Sequence, residues 1–322
     1  MIVVTGGAGF IGSAFVWKLN QEGITDVLVV DELGTSEKWR NLVPRRYADY
    51  LHKDVFRARL LLGELPEIEA IVHMGACSAT TERDADFLME NNYRYTRELA
   101  EWAVANDARF IYASSAATYG DGGQGFEDDE ASLDTLRPLN MYGYSKQLFD
   151  ICAKNTGLLE HIVGIKFFNV FGPNEYHKED MSSVLYKAYG QIRDKGSLNL
   201  FKSYRPEYAD GEQQRDFIYI KDCVDVMWWL LQNPTVNGLY NLGTGKARSW
   251  NDLAHSVFAA MNKEPDLRYI EMPEALRGKY QYFTEAPMEK LRAAGYAPVF
   301  HSLEEAAEDY VTHYLACDYC PL

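Results

Sequence analysis

In "YGYSK" the phenol of Tyr142 and the ammonium of Lys146 stand four positions apart. On a helix this spacing puts both on one face. A nearby ammonium favours phenolate and is expected to lower the tyrosine pKa towards working pH, which suits proton transfer to or from an alcohol. Upstream, "YASSAATYG" supplies Ser114 and Ser115, small hydroxyls able to hold a substrate oxygen beside the phenol. Alone, the pair is equally an aromatic and a lysine on a solvated helix face. The hydroxyls and a glycine-rich segment near the N-terminus favour catalysis.

That segment, "TGGAGFIG", carries Gly6, Gly7, Gly9 and Gly12, with G-x-G-x-x-G running from Gly7 to Gly12. The motif is weak by itself. Here it follows the strand-like "IVVT" (2–5) and opens a helical pattern whose Ile11, Ala14, Phe15 and Leu19 keep to one side. Missing side chains let the backbone approach a pyrophosphate, and the helix N-terminus adds N–H donors and partial positive charge. Asp31 lies nineteen residues after Gly12, where an acid commonly binds an adenosine ribose hydroxyl. That acid, with Glu32 beside it, favours NAD. Lys38 and Lys53 could instead neutralise the 2′-phosphate of NADP, and the residues leave the balance open.

The elements that must position these groups alternate. Strand-length apolar runs fall at 2–5, 27–31, 70–74 and 109–114, with a long helical pattern over 81–106. "HIVGIKFFNVFG" (161–172) is a further buried strand and its exit. Such alternation predicts right-handed βαβ units: an α/β protein with a Rossmann-type doubly wound parallel sheet and a smaller α/β substrate-binding domain. Serines ending a parallel strand lie where ligands bind in such sheets. After 172 the loops lengthen and "KSYRPEYADGEQQRD" (202–216) is polar. The expected division is 1–172 for a dinucleotide-binding domain, to which some later segments return, and 173–322 mainly for substrate. "DGGQGFEDDEAS" (121–132) is expected to be a solvated acidic loop.

The 322 residues suit one large or two intimate domains, and 47% apolar content supplies a sizeable core. A net charge of −15 argues against nucleic acid, which needs a basic surface, but leaves room for an anionic small ligand held by local cations. The start "MIVVTGGAGF" has no basic n-region, so no signal peptide is expected, and "VMWWLL" (226–231) is too short to span a membrane. Five scattered cysteines (Cys77, Cys152, Cys223, Cys317, Cys320) fit a reducing cytoplasm. Cys317 and Cys320 form a lone C-x-x-C without a second pair, so no metal is expected.

Together "TGGAGFIG", "YASSAATYG" and "YGYSK" resemble the extended short-chain dehydrogenase/reductase family, whose sugar-nucleotide members use a Ser/Thr, Tyr, Lys constellation. "VVDELGTSEKWRNL", "HMGACSATTE", "NNYRYT", "FFNVFGPNEYHK" and "RDFIYIKD" are similar, more narrowly, to the ADP-heptose 6-epimerases of that family, up to near residue 310. The resemblance implies an isomerase that inverts C6″ of ADP-D-glycero-D-manno-heptose, for the inner core of lipopolysaccharide. Hydride would leave to a nicotinamide and return to the opposite face of a transient ketone. It implies NADP, with NAD as the alternative, and a homo-oligomer. Tyr142, Lys146 and Ser115 would be catalytic, and Lys178 of "EYHK" would be a second proton-transfer group, with His177 in a supporting role. Cofactor contacts would come from Gly6, Gly9, Phe10, Ile11, Gly12, Asp31, Glu32, Lys38, Lys53, Met74, Gly75, Ala76, Cys77, Ser78, Asn91, Lys146, Val170 and Lys178. Asn169, Asp180, Lys187, Phe201, Lys202, Ser203, Tyr204, Arg215 and Tyr280 would line the ADP-sugar site. Lys187, Lys202 and Arg215 would give it positive charge.

Rival readings are a 4,6-dehydratase, another nucleotide-sugar epimerase such as a UDP-sugar 4-epimerase, and a dinucleotide-sensing protein. The first resembles "S-T-D-E-x-Y-G" at this strand end, where this chain has Ala116 and Ala117 and no acid. The last tends to lose the tyrosine that Tyr142 retains.

Overall fold

The computed structural model describes residues 1–277 and 280–322. The chain starts at the centre of a parallel sheet. Its strands are β1 (Ile2–Thr5), β2 (Val27–Asp31), β3 (Asp49–His52), β4 (Ala70–His73), β5 (Arg109–Ser115) and β6 (Val163–Phe167). Later come β7 (Asn169–Phe171), β8 (Leu198–Phe201), β9 (Gln214–Tyr219), β10 (Gly238–Leu242), β11 (Ala247–Ser249) and β12 (Leu267–Ile270). The main sheet has seven strands in the order β10-β6-β5-β4-β1-β2-β3, all parallel. Strands β1, β2, β4 and β6 are buried at every position, as strands covered by helices on both faces must be.

The covering helices are α1 (Phe10–Gln21), α2 (Lys53–Leu62), α3 (Ala85–Leu88), α4 (Tyr95–Ala105), α5 (Met141–Asn155), α6 (Val184–Lys195), α7 (Ile220–Gln232) and α8 (Trp250–Ala260). Helix α1 packs on α7, and α4 on α5. From β1 the chain winds outward through β2 to β3, then returns to β4 on the other side. Loops leaving β1 and β4 therefore diverge, and a crevice opens at this switch point. There the two loops meet backbone to backbone. Gly6 has φ +63°, and a Cβ on it would stand 2.6 Å from the Gly75 nitrogen.

Two smaller sheets follow: β7 and β11 flank β9, and β8 pairs with β12. Strand β10 rejoins the main sheet against β6.

Several elements differ from expectation. The 81–106 helix begins only at Ala85, where Asp84 caps the Phe87 N–H at 2.9 Å, and is interrupted by a π-turn over Met89–Arg94. The wider turn aims Asn91 and Asn92 at two different neighbours, described below. The 70–74 strand ends at His73; the Met74 N–H makes the last ladder bond, to the Thr5 carbonyl at 3.1 Å. The 161–172 run is two strands; after Phe167 the chain leaves the main sheet for β7. Strand β3 was not anticipated, since its polar "DYLH" is an edge strand with no buried position. Among the described residues no helix is long and apolar enough to cross a membrane, and there is no group of three or more metal-ligating side chains. The five cysteines are free, with Cys317 and Cys320 exposed.

Candidate active site

Helix α5 starts where Asn140 accepts from the Gly143 N–H at 2.8 Å. A Cβ on Gly143 would stand 2.7 Å from the Ala117 carbonyl oxygen, so α5 meets the turn after β5 backbone to side. This close approach puts Tyr142, in the first turn, beside Ser115, whose side chain pulls the pKa of the phenol down. Ser114 points the other way and donates to Asp150 at 2.7 Å, as successive strand residues must. Only Ser115 of the two serines therefore serves the phenol.

Lys146 is buried one turn further on, and burial lowers its pKa to about 8, with the Asp150 charge opposing. Tyr142 departs from expectation. Its pKa is raised, chiefly by desolvation, against the pull of the Ser115 hydrogen bond. The ammonium does not win, because a phenolate here would forfeit more hydration than one hydrogen bond returns.

Most of the expected cofactor residues lie on the segments that leave β1, β2 and β4. Gly9 caps α1, and Phe10, Ile11 and Gly12 form its first turn. Asp31 is buried; it accepts from the Ala8 N–H at 2.8 Å and from Lys38 at 2.7 Å. Lys53 bonds Glu32 at 2.5 Å and the Asn91 side chain at 2.9 Å. The two lysines thus stand at the end of β2, each matched by an acid. The Met74–Ser78 segment, which includes Ala76, follows β4. Gly75 donates to the Thr5 hydroxyl at 3.2 Å. The Cys77 backbone is held on both sides by Asn92, whose amide also reaches Ser145 at 3.1 Å. Val170 is half-buried on β7. A helix N-terminus stripped of side chains, an acid at the next strand end and two lysines beside it fit a dinucleotide.

Lys178 lies on a short turn, Tyr176–Met181, and its Nζ stands 5.2 Å over the Phe10 ring, at the N-terminus of α1. Burial lowers its pKa, against the attraction of Glu175; Lys187 lowers it further. The loop is docked on the first helix. Asn174 donates to Ser13 at 2.9 Å, and Asn41 donates to the Asn174 carbonyl at 3.0 Å. His177 faces Asn41 at 3.4 Å, and burial lowers its pKa to about 4, so it stays neutral in a supporting position. Glu175 is fully buried, accepting from Gly172, Ser183 and Tyr310.

The expected substrate residues form two groups. Arg215 is buried between the rings of Tyr280 at 5.4 Å and Trp250 at 5.7 Å, with Phe201 against Tyr280. Ser203 and Tyr204 follow on the loop after β8, where Ser203 donates to Asp210 at 2.7 Å and Tyr204 is exposed. Lys202 pairs with Glu271 at 2.8 Å, so its charge is already matched, unlike the free cation expected. The Lys187 ammonium donates to the Asp180 carbonyl at 2.6 Å, with both side chains exposed, as is Asn169. Gln281 joins this side to the turn after β5 by donating to the Gly120 carbonyl at 2.5 Å.

Sequence reasoning passed over Asn92, Glu175, Trp250 and Gln281. For Asn92 a signal existed: asparagine inside a helix is unfavourable unless its amide bonds elsewhere. The others are recognisable only by their contacts.

Known proteins resemble this chain over nearly its whole length. The chain is 65% identical, over 98% of both chains, to an ADP-L-glycero-D-manno-heptose-6-epimerase of Nitratidesulfovibrio vulgaris strain DP4. It is 52% identical, again over 98% of both, to the protein of that name from Fusobacterium nucleatum. It also superimposes with a TM-score of 0.81 on the crystal structure of Helicobacter pylori ADP-L-glycero-D-manno-heptose-6-epimerase, at 27% identity and over 97% of this chain and 95% of the other. Residues 2–243 carry the pattern of the NAD dependent epimerase/dehydratase family, and the chain belongs to it.

Proposed function

We propose that this chain inverts the exocyclic C6″ carbinol of ADP-D-glycero-D-manno-heptose, giving the L-glycero epimer by hydride removal and return. Near-full-length likeness to the relatives of that name supports the substrate. One observation carries the mechanism: two separate proton-transfer groups face the nucleotide end of the fold, both desolvated. Tyr142 enters on α5, and Lys178 arrives on a loop docked over Phe10. Burial raises the phenol and lowers the ammonium, so a neutral phenol and a neutral amine are each made more accessible. One can take a proton from one alcohol while the other gives a proton to the ketone on its opposite face. Ser115 would hold the substrate oxygen beside Tyr142, and Lys146 would stabilise charge on the phenol and hold the nicotinamide ribose. When bound, the nicotinamide would supply hydride acceptance and return.

The preferred cofactor in this reading is NADP. Lys38 and Lys53 already converge on the end of β2, where a 2′-phosphate would replace the carboxylates of Asp31 and Glu32 as their partner. The ADP-sugar lies along Arg215, Phe201 and Tyr280, with Lys187 at the rim. A 4,6-dehydratase is disfavoured because Ala116 and Ala117 offer no acid to expel water.

Incubating the purified protein with ADP-D-glycero-D-manno-heptose deuterated at C6″ tests this by NMR. The expected result is the L-glycero epimer with the label still on C6″ and no accumulation of reduced cofactor. Loss of the label to solvent, or stoichiometric cofactor reduction, overturns the reading. Nucleotide extracted from the purified protein is expected to be NADP; finding NAD alone would leave Asp31 and Glu32 in control of the ribose.

A further inference from the structure

Beneath the proton-transfer group lies an ion pair that the mechanism above does not use. Asp150 and Lys166 are 2.8 Å apart and both side chains are wholly buried. Lys166, on β6, also donates to Thr118 at 2.8 Å and stands 5.0 Å over the Tyr119 ring. Asp150, on α5, accepts from Tyr112 at 2.9 Å and from Ser114 at 2.7 Å, both on β5. Burying two charges is costly, and apolar residues of similar volume would commonly fill the same space at no loss of stability. The pair therefore calls for a role beyond packing.

Its place on α5 supplies one. Asp150 follows Lys146 by one helical turn, as Lys146 follows Tyr142, so all three lie along one face. Lys146 has Tyr142 and Asp150 on its own helix, and His73 of β4 close enough to feel its charge. Burial keeps His73 neutral, with a pKa of about 3. Tyr142 is a neutral phenol, and the Cys77 thiol lies on its side of the loop. Asp150 is the anion of this group that supports a charged Lys146. Asp150 is in turn faced by Tyr112 on β5 and Lys166 on β6.

We propose that Asp150, anchored by Lys166, is a positioning residue for Lys146: it supplies the buried negative charge that keeps Lys146 an ammonium, and its bonds to Tyr112 and Ser114 hold α5 in register with the strand end that carries Ser115. The inference rests on reading Tyr142 and Lys146 as the proton-transfer pair. Burial alone drives Lys146 down, and the carboxylate opposes that fall. Without it the lysine would be neutral through more of the neutral pH range, with less charge to offer a phenolate or a ribose.

The test follows the lysine directly. In protein labelled with 13C at lysine Cε, the Lys146 resonance is assigned by its loss in Lys146→Met, and its titration is followed by NMR with and without Asp150→Asn. Wild type should titrate near pH 8. In Asp150→Asn the midpoint should fall by about one pH unit or more, and the alkaline limb of kcat/KM for epimerisation should move down with it. Should Asp150→Asn fail to fold because Lys166 is left unpaired, Asp150→Asn/Lys166→Met removes both charges, and a smaller downward shift is expected, because the opposing charge of Lys166 is lost as well. A folded variant whose Lys146 midpoint and alkaline limb both stay at the wild-type positions overturns the proposal. The NMR titration needs no substrate. Wild-type protein that fails to epimerise would overturn the proposed function while leaving the Asp150 test intact.

Discussion

Tyr142 and Lys178, the two proposed proton-transfer groups, are chemically different, and desolvation favours the neutral form of each. A phenol that normally loses its proton near pH 10 is held higher, and an ammonium near 10.5 is held lower. Removing either should therefore disable one half of a reversible cycle. Tyr142→Phe deletes only the hydroxyl, so the expected loss in kcat is about 10²–10⁴-fold with cofactor content unchanged. Lys178→Met should behave alike. The measurements are epimer conversion by NMR and absorbance of the co-purified nucleotide. Near-normal turnover in Lys178→Met would mean that one group serves both faces of the ketone. The two residues also differ in how they could be found. The i, i+4 spacing of Tyr142 and Lys146 is a local signal, whereas Lys178 sits in a charged loop that resembles any solvated turn until it is seen against Phe10.

At the scale of elements, the π-turn between α3 and α4 links the Cys77 loop, the proposed cofactor contact, to α5, which carries Tyr142 and Lys146. Asn92 bonds the Cys77 backbone twice and Ser145 once. Asn92→Leu would leave these groups without partners, and a stability loss of about 1–3 kcal/mol is expected in urea unfolding, together with reduced cofactor content. Full cofactor retention would show that the Cys77 loop holds its shape unaided. Strand β4 ends in His73, fully buried between the Thr5 and Thr96 hydroxyls at 2.6 and 2.9 Å. Its pKa is lowered to about 3, chiefly by burial, from an ordinary value of 6.5. The unfolded chain binds this proton as pH falls below 6.5, while the folded chain resists it until about 3. The stabilisation from a neutral His73 is thus complete above pH 6.5 and declines in that window, approaching a slope of about 1.4 kcal/mol per pH unit. Buried Asp128, Glu175 and Asp216, whose carboxyl pKa values are raised, act in the opposite sense, so the comparison must isolate one site. His73→Gln should flatten the fall in stability between pH 6 and 4 relative to wild type; equal slopes would refute the assignment.

At the scale of the molecule, the loop that carries Lys178, the proposed second proton-transfer group, is tied to residues 320 and 322. The Tyr176 hydroxyl donates to the Cys320 carbonyl at 2.7 Å, and the Leu322 N–H donates to the Asn174 side chain at 3.0 Å. Arg193 on α6 holds Tyr319 of the same tail. These contacts buttress the loop that carries Lys178 without touching the main sheet. Deleting residues 317–322 should therefore leave cofactor binding intact and lower kcat several-fold, because a misplaced base loses the alignment its chemistry requires. Cofactor lost in parallel with activity would indicate instead that the tail supports the whole nucleotide end.

Local rules made much of this protein legible in advance. The alternation of apolar runs with helical periodicity reports backbone geometry residue by residue, which is why β1, β2, β5 and α1 fall where expected. Glycines at a strand-to-helix turn and an acid at the next strand end are likewise short-range constraints. What folding alone decided are the long-range pairings and the dielectric environment. No local pattern announces that Lys178 lies over Phe10, that Arg215 lies between Tyr280 and Trp250, or that Asp150 finds Lys166. The direction of the Tyr142 shift belongs here too. Spacing supplied a neighbouring ammonium, but how much water the fold removes from the phenol determines whether that charge or desolvation prevails, and this depends on the chain that closes over it.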